Sequence, residues 1–192
     1  SVAMNKVITT GSLSLGNGSG LASNYTLTGG THTFDISPVS VNVTGNRQYN
    51  GTNVIDSSDL LLTNLLTGET VSLSGQGTVV SADVGANKTV TSVNLALTGA
   101  NAGNYTLNSY TTSFEILPKV INLTGTKVYD GLTTVPNASL TVTTGVSGQS
   151  LDLKGSGSVI SVAAGNGKTI SIGTLELDST GSGSDSNYTL SG

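Results

Sequence analysis

The sequence predicts an all-β chain: tandem small β-sandwich modules, immunoglobulin-like in general architecture, forming an elongated array, with β-grasp-like modules as the alternative. Three observations predict it. Blocks recur about eighty residues apart: Tyr49-Asn50-Gly51 returns as Tyr129-Asp130-Gly131, FDISP at Phe34 to Pro38 returns as FEILP at Phe114 to Pro118, and NYTL begins at Asn24, Asn104 and Asn187. Apolar residues alternate with Ser or Thr in runs rich in Val, Ile and Thr, the period of half-buried strands. Gly and Asn punctuate those runs, with 26 glycines among 192 residues, which favours tight turns over helices. A continuous β-helix is disfavoured, because its coils would repeat at roughly twenty residues.

Taken in order, Ser1-Val2-Ala3 matches Ser161-Val162-Ala163, so the sequence opens inside a repeat. Residues 1–37 read as the C-terminal part of a first repeat and 38–117 as a complete second. Residues 118–192 read as a third that stops after NYTL, before the F-x-I strand. The expectation is a fragment of a longer array, with frayed or complemented ends. Phe34 and Ile36 lie on one parity and Val39, Val41 and Val43 on the other; Phe114/Ile116 and Ile121/Leu123 behave alike. The buried face therefore switches at Pro38 and at Pro118, as expected of a strand leaving one core for the next across a short, stiff junction.

Further along, Asp56 to Leu66 is the best helix pattern, with Asp56 or Ser57 as N-cap, but its counterpart Pro136 to Thr144 favours a strand. Equivalent segments should share one conformation, so both are predicted to be strand or loop, with a short helical turn as the lesser alternative. Thr70 to Val80, Thr89 to Leu97, Leu140 to Thr143 and Thr169 to Leu177 read as strands. Gly75-Gln76-Gly77 recurs as Gly155-Ser156-Gly157, and Asn87-Lys88-Thr89 as Gly167-Lys168-Thr169, where the lysine reads as an exposed hairpin tip.

Charged residues are 9% of the chain, the net charge is −4, and only seven residues are basic. Nucleic acid demands clustered Lys and Arg, so it is excluded as a partner, and an anionic membrane surface is disfavoured. With no cysteine there are neither disulfides nor thiolate metal sites. No run of eighteen apolar residues exists, so direct membrane insertion is not expected, and an export signal would have to lie outside these residues.

No catalytic constellation can be assembled, and no cofactor is implied. His32 is the single histidine and has no counterpart in the next repeat; a surface or turn role is expected. Serines lack a base, and no G-x-S-x-G elbow is present. For calcium, Asp56/Asp59 and Asp178/Asp185 supply partial ligand sets, but neither cluster recurs and no D-x-[DN]-x-[DN]-G loop exists; solvated turn acids are the plainer reading. One covalent candidate does recur. Lys88, Asn104 and Glu115 (with Lys6, Lys168, Asn24, Asn187 and Asp35 at equivalent places) are the ingredients of an isopeptide bond, which requires all three buried together. Against it stand the hairpin-tip lysine and an asparagine that reads as a turn. The repeated aromatics Tyr25, Tyr49, Tyr105, Tyr129, Tyr188, Phe34 and Phe114 are expected in cores rather than in a sugar groove, and unrepeated Tyr110 makes no site alone. N-x-[ST] sequons fall at Asn24, Asn42, Asn87, Asn104, Asn122 and Asn187, open to glycosylation.

One ordered set of motifs covers nearly the whole chain: [VI]-x-x-T-G-x-x-x-Y-[ND]-G at Val41 to Gly51 and Ile121 to Gly131, a central G-x-G, G-[AN]-x-K-T, then NYTL before F-x-I-x-P. This set resembles the YDG-type and MBG-like repeat domains of filamentous-haemagglutinin-like surface adhesins, exported by the two-partner route in Gram-negative bacteria. Asn50 replaces the aspartate of the triplet, which still suits a tight turn. The resemblance implies a stalk on the bacterial cell surface that projects a binding tip for adhesion or biofilm formation, and supplies no catalytic residues. The alternative is that the repeats themselves bind a polysaccharide or a host or matrix surface weakly and multivalently.

Overall fold

The computed structural model of the chain describes residues 2–9, 11–27 and 33–191. Among them, regular structure consists of short β-strands and three-residue 3-10 turns, with no α-helix. Among the described residues no helix is long and apolar enough to cross a membrane.

In the first repeat β1 (Ala3–Val7) pairs antiparallel with β2 (Thr33–Ile36), setting Lys6 opposite Phe34 and Ala3 opposite Ile36. The second repeat holds β3 (Val39–Gln48), β4 (Val54–Asp56), β5 (Leu60–Thr63), β6 (Ser72–Ser74), β7 (Gln76–Thr78), β8 (Gly85–Lys88), β9 (Thr91–Ser92), β10 (Ala96–Thr98) and β11 (Tyr105–Leu117). Its largest sheet has the order β5-β3-β11-β8, beside a three-stranded sheet β4-β7-β9 and the pair β6-β10. β3 and β11 run parallel, from Val39 opposite Tyr105 to Gln48 opposite Leu117. The first and last strands of the repeat are thus neighbours in one sheet.

The third repeat copies most of this with β12 (Lys119–Ile121), β13 (Leu123–Gly125), β14 (Thr134–Pro136), β15 (Leu140–Val142), β16 (Asp152–Lys154), β17 (Ser156–Val159), β18 (Ile170–Ser171), β19 (Glu176–Asp178) and β20 (Tyr188–Leu190). β12 pairs parallel with β20, β13 antiparallel with β15, and β16 with β19; β14-β17-β18 forms the three-stranded sheet.

Local sequence explains the recurring joints between strands. Asp56 to Leu66 and Pro136 to Thr144 share one conformation: a 3-10 turn at Ser57–Asp59 or Asn137–Ser139, leading straight into β5 or β15. The turn at Ser57 has no side-chain cap. Asp56 Oδ1 instead accepts from Gln76 Nε2 at 2.6 Å across the β4-β7 pair, so the capping role expected of Asp56 or Ser57 is not taken up. Opposite that turn, Gly45 and Gly125 pass so close that an added Cβ would stand 2.1 Å and 2.0 Å from the carbonyl oxygens of Asp59 and Ser139. Thr70 to Val80 is two strands rather than one. Gly75 (φ +88°), like Gly155 (φ +79°), turns the chain between β6 and β7 in the left-handed region open to glycine.

The parity switch at Pro118 is visible in burial: Phe114 and Ile116 are fully buried, and Ile121 follows on the other parity. The apolar interior does not stop there. Val43, Ile55, Leu60, Val79, Val90, Phe114 and Ile116 form one continuous cluster with Tyr49, Ile121, Leu151 and Tyr188. The expected passage from one core into a separate one is therefore a passage along a shared core, because aromatic side chains from both repeats fill the seam.

Candidate functional site

Several buried or half-buried polar and aromatic side chains pair where one repeat meets the next. NYTL begins each time at the end of a 3-10 turn, Ala22–Asn24, Ala102–Asn104 and Asp185–Asn187. Asn104 Oδ1 accepts the amide of Val2 at 3.0 Å, and Asn187 Oδ1 accepts the amide of Val84 at 2.8 Å. Both bonds tie an asparagine of one repeat to the backbone of the repeat before it. Asn187 is 2% exposed and also donates through Nδ2 to Asp83 Oδ1 at 2.9 Å. Bonds from the Ser81 hydroxyl first and from Asn187 second hold the Asp83 carboxyl below its usual range.

Tyr49 directly follows β3 and is 4% exposed. Its amide donates to the Leu117 carbonyl at 2.8 Å, and its ring meets Tyr188 of the third repeat edge-on, centroids 5.4 Å apart at 75°. Such a T-shaped pair contributes about 1 kcal/mol beyond its buried area. Gln149 bridges the two phenols: Nε2 donates to Tyr49 Oη at 2.7 Å, and Oε1 accepts from Tyr188 Oη. Burial first and the neighbouring Tyr49 next push the Tyr188 phenol up. The turn after Tyr49 lies in the same contact, since a Cβ on Gly51 would come 2.7 Å from Val146 Cγ1.

Half of this latch recurs in the second repeat. Tyr105 Oη donates to Glu69 and accepts the Leu66 amide at 3.1 Å, and the Glu69 bond is the main reason its phenol is raised. The other half recurs in the third repeat as Tyr129, which is 67% exposed.

Sequence-predicted site residues fall elsewhere. Lys88 is half-buried on β8 and donates to the Ser81 carbonyl at 3.2 Å, as Lys168 does to Ser161 at 3.1 Å. It is a strand residue paired with Phe114, not a hairpin tip. Glu115 is exposed and stands opposite Asn46 in β3, and Asn104 is committed to Val2. No hydrogen bond or ion pair joins these three, so the structure does not bring the isopeptide ingredients together. Asp56 is bonded to Gln76, Asp59 stands 4.0 Å from Arg47 Nε, and Asp178 pairs with Lys154 at 2.9 Å. Among the described residues no group of three or more His, Cys, Asp or Glu is placed to hold a metal. His32 and the side chain of Tyr110 lie outside the described residues. The sequon asparagines Asn104 and Asn187 are joint residues. Asn87 accepts from Ser113 Oγ at 3.1 Å and Asn122 from Ser191 Oγ at 2.9 Å.

The repeated aromatics divide. Tyr49, Tyr105, Tyr188 and Phe114 are buried, while Tyr25, Phe34 and Tyr129 are exposed. Membership of the repeat is not sufficient; each aromatic needs the opposing strand or repeat. Sequence reasoning missed Gln149 and Glu69, although both follow a glycine at one place in the period, Gly148-Gln149 and Gly68-Glu69.

The YDG domain matches the chain twice, over residues 36–113 and 117–192. No curated protein and no solved structure matches it.

Proposed function

The chain belongs to the YDG domain family, and on that premise we propose that it is a structural segment of an extracellular bacterial surface adhesin, in which repeats act as rigid spacers. Its repeats are small β-sandwiches stacked end to end into an elongated stalk, without enzymatic activity. The observation that carries this reading is the repeated joint: Asn104 on Val2 and Asn187 on Val84, with Tyr49, Gln149 and Tyr188 closing the second seam. Two repeats joined only by a flexible linker have no use for buried, paired polar groups between them, because ordering those groups costs conformational entropy. A spacer that must hold direction does. The low charge and plentiful Ser, Thr and Asn keep such a surface soluble while limiting non-specific electrostatic capture.

Small-angle scattering of the whole chain, alone and as Gln149→Ala/Asn187→Ala, tests the reading. The expected result is an elongated, stiff particle whose longest dimension becomes broadly distributed in the variant. A profile already that of a flexible pair, unchanged by the substitutions, removes the spacer. Saturable binding of the chain to an immobilised glycan or matrix protein would instead make the repeats themselves the adhesive surface.

A further inference from the structure

Asparagine precedes glycine at Asn17-Gly18, Asn50-Gly51 and Asn166-Gly167, and all three asparagines are exposed. With no Cβ on the following residue, its backbone nitrogen has an open approach to the asparagine carboxamide. Asn50-Gly51 differs from the other two in its surroundings. It follows buried Tyr49, and Gly51 sits against the third repeat, where a Cβ would stand 2.7 Å from Val146 Cγ1. Asn50 Oδ1 accepts from the Thr52 amide at 3.0 Å and from Thr52 Oγ1 at 3.0 Å. These bonds fold the carboxamide back over the Gly51 peptide, which lies between the bonded groups. They also set two donors on the oxygen that turns negative when Cγ is attacked. Donors so placed stabilise a developing oxyanion more than the neutral carbonyl it came from. At the other pairs, Asn17 Oδ1 accepts the Ala22 amide at 2.7 Å, and Asn166 lies in exposed coil.

The equivalent place in the third repeat is Asp130-Gly131. Asp130 Oδ1 accepts the Leu132 amide at 2.9 Å, as Asn50 accepts that of Thr52, and pairs with Lys127 Nζ at 2.7 Å. Lys127 donates to the carbonyls of Leu132 and Thr134, as Arg47 does to those of Thr52 and Val54. An aspartate at position 50 would therefore have a cation at hand in Arg47. Asp130 itself, held as the anion by Lys127, offers no leaving group to Gly131.

We propose that Asn50-Gly51 is a self-modifying site, at which Thr52 assists deamidation of Asn50 without an enzyme. Hydroxide takes the Gly51 amide proton, forming water, and the nitrogen attacks Asn50 Cγ with the electron pair left behind. The Cγ–Nδ2 bond breaks, and Nδ2 takes a proton from water to leave as ammonia, which regenerates hydroxide. A five-membered succinimide remains, and water opens it at either carbonyl. Opening at Cγ gives aspartate, and the second repeat then carries the Tyr-Asp-Gly triplet of the third. Opening at the main-chain carbonyl gives isoaspartate, which lengthens the backbone by one methylene between Tyr49 and Gly51, against Val146. The second seam is thereby tied to the age of the protein. This holds whether the repeats serve as spacers or as the adhesive surface.

Peptide mapping by mass spectrometry tests the proposal on the full chain, kept at body temperature in mildly alkaline buffer made with heavy-oxygen water, which labels each acid formed during incubation. Asn50 is expected to lose ammonia and gain labelled oxygen, as aspartate and isoaspartate together. Thr52→Val removes the hydroxyl donor but keeps the amide and the shape. It should slow Asn50 about three- to tenfold, the worth of one hydrogen bond, while Asn17 and Asn166 in the same sample keep their rates. Thr52→Ser restores the donor and should restore the wild-type rate. Circular dichroism and melting establish that each variant is folded. An Asn50 that stays intact overturns the proposal. So does a Thr52→Val chain that converts at Asn50 as fast as the wild type or faster, which would leave ordinary asparagine ageing with no part for Thr52.

Discussion

The second and third repeats share a sequence pattern but not a degree of completion, and the difference shows which parts of the pattern are self-sufficient. β3 is one ten-residue strand held between β5 and β11. Its counterpart is broken into β12 and β13, and residues 126–130, which match the end of β3, form no strand. β8 is likewise a strand, while residues 165–168 are exposed coil. By contrast β14-β17-β18 reproduces β4-β7-β9, and β16-β19 reproduces β6-β10. Strands whose partners are present in both repeats form in both, whereas the segments that flank the end of β11 in the second repeat form no strand in the third.

The widest expected separation between the two cases is at the F-x-I phenylalanines. Phe114→Ala empties a fully buried position and should cost about 3–5 kcal/mol, whereas Phe34→Ala should cost less than about 0.5 kcal/mol in the monomer, as exposed substitutions do. Chemical denaturation of each variant checks this, and equal losses would break the comparison. Next come two positions that should behave alike. Gly45→Ala and Gly125→Ala both drive a Cβ onto a turn carbonyl, and each should lose about 1–3 kcal/mol. A harmless Gly125→Ala would mean that the third repeat gives way where the second does not. Smaller again is the joint: Asn187→Ala strands a half-buried amide and a carboxylate for about 1–3 kcal/mol, and Asn104→Ala, with one bond at its seam, should lose less.

Hydrogen exchange sharpens the same contrast without mutation. Amides of residues 126–130 and 161–169 should exchange far faster than those of 46–48 and 85–88. The weakest expected effect is pH dependence at the second seam. Asp83 is bonded as the anion and its folded value is lowered, so its contribution is complete above about pH 4 and is lost as pH falls through the folded value. Tyr188 is favoured as the neutral phenol and its folded value is raised, so its contribution is complete below about pH 10 and is lost as pH rises through the folded value. Because Asp83 is exposed, the acid-side change is small and shrinks with salt. A melting profile flat from pH 3 to pH 11, or one that falls towards neutral pH, would contradict both directions.

Much of the fold was legible in the sequence because repetition supplies its own control. The equivalence of Asp56 to Leu66 with Pro136 to Thr144 argued for strand or loop over a long helix, leaving room for the short helical turn that each segment holds, and the parity of Phe114/Ile116 against Ile121 located the change of face at Pro118. What the pattern could not carry was contact across a seam. Asn104 and Asn187 read as turn residues, and they do end turns, but their side chains act on another repeat about a hundred residues away. Tyr49 and Tyr129 are equivalent in sequence and opposite in exposure, since a period records what a residue is and not what stands opposite it. The division of Thr70 to Val80 at Gly75 was hidden for a simpler reason: alternation continues through the glycine while the backbone does not.

The parallel pairing of β3 with β11 has a mechanical consequence. The chain enters the second repeat at one end of that pair, near Val39, and leaves it at the other, at Leu117 opposite Gln48. A pull on the two ends therefore slides the strands past each other instead of peeling them apart, and the ladder bonds along their overlap share the load at once. A repeat wired this way resists being drawn out lengthwise while staying easy to bend open from the side.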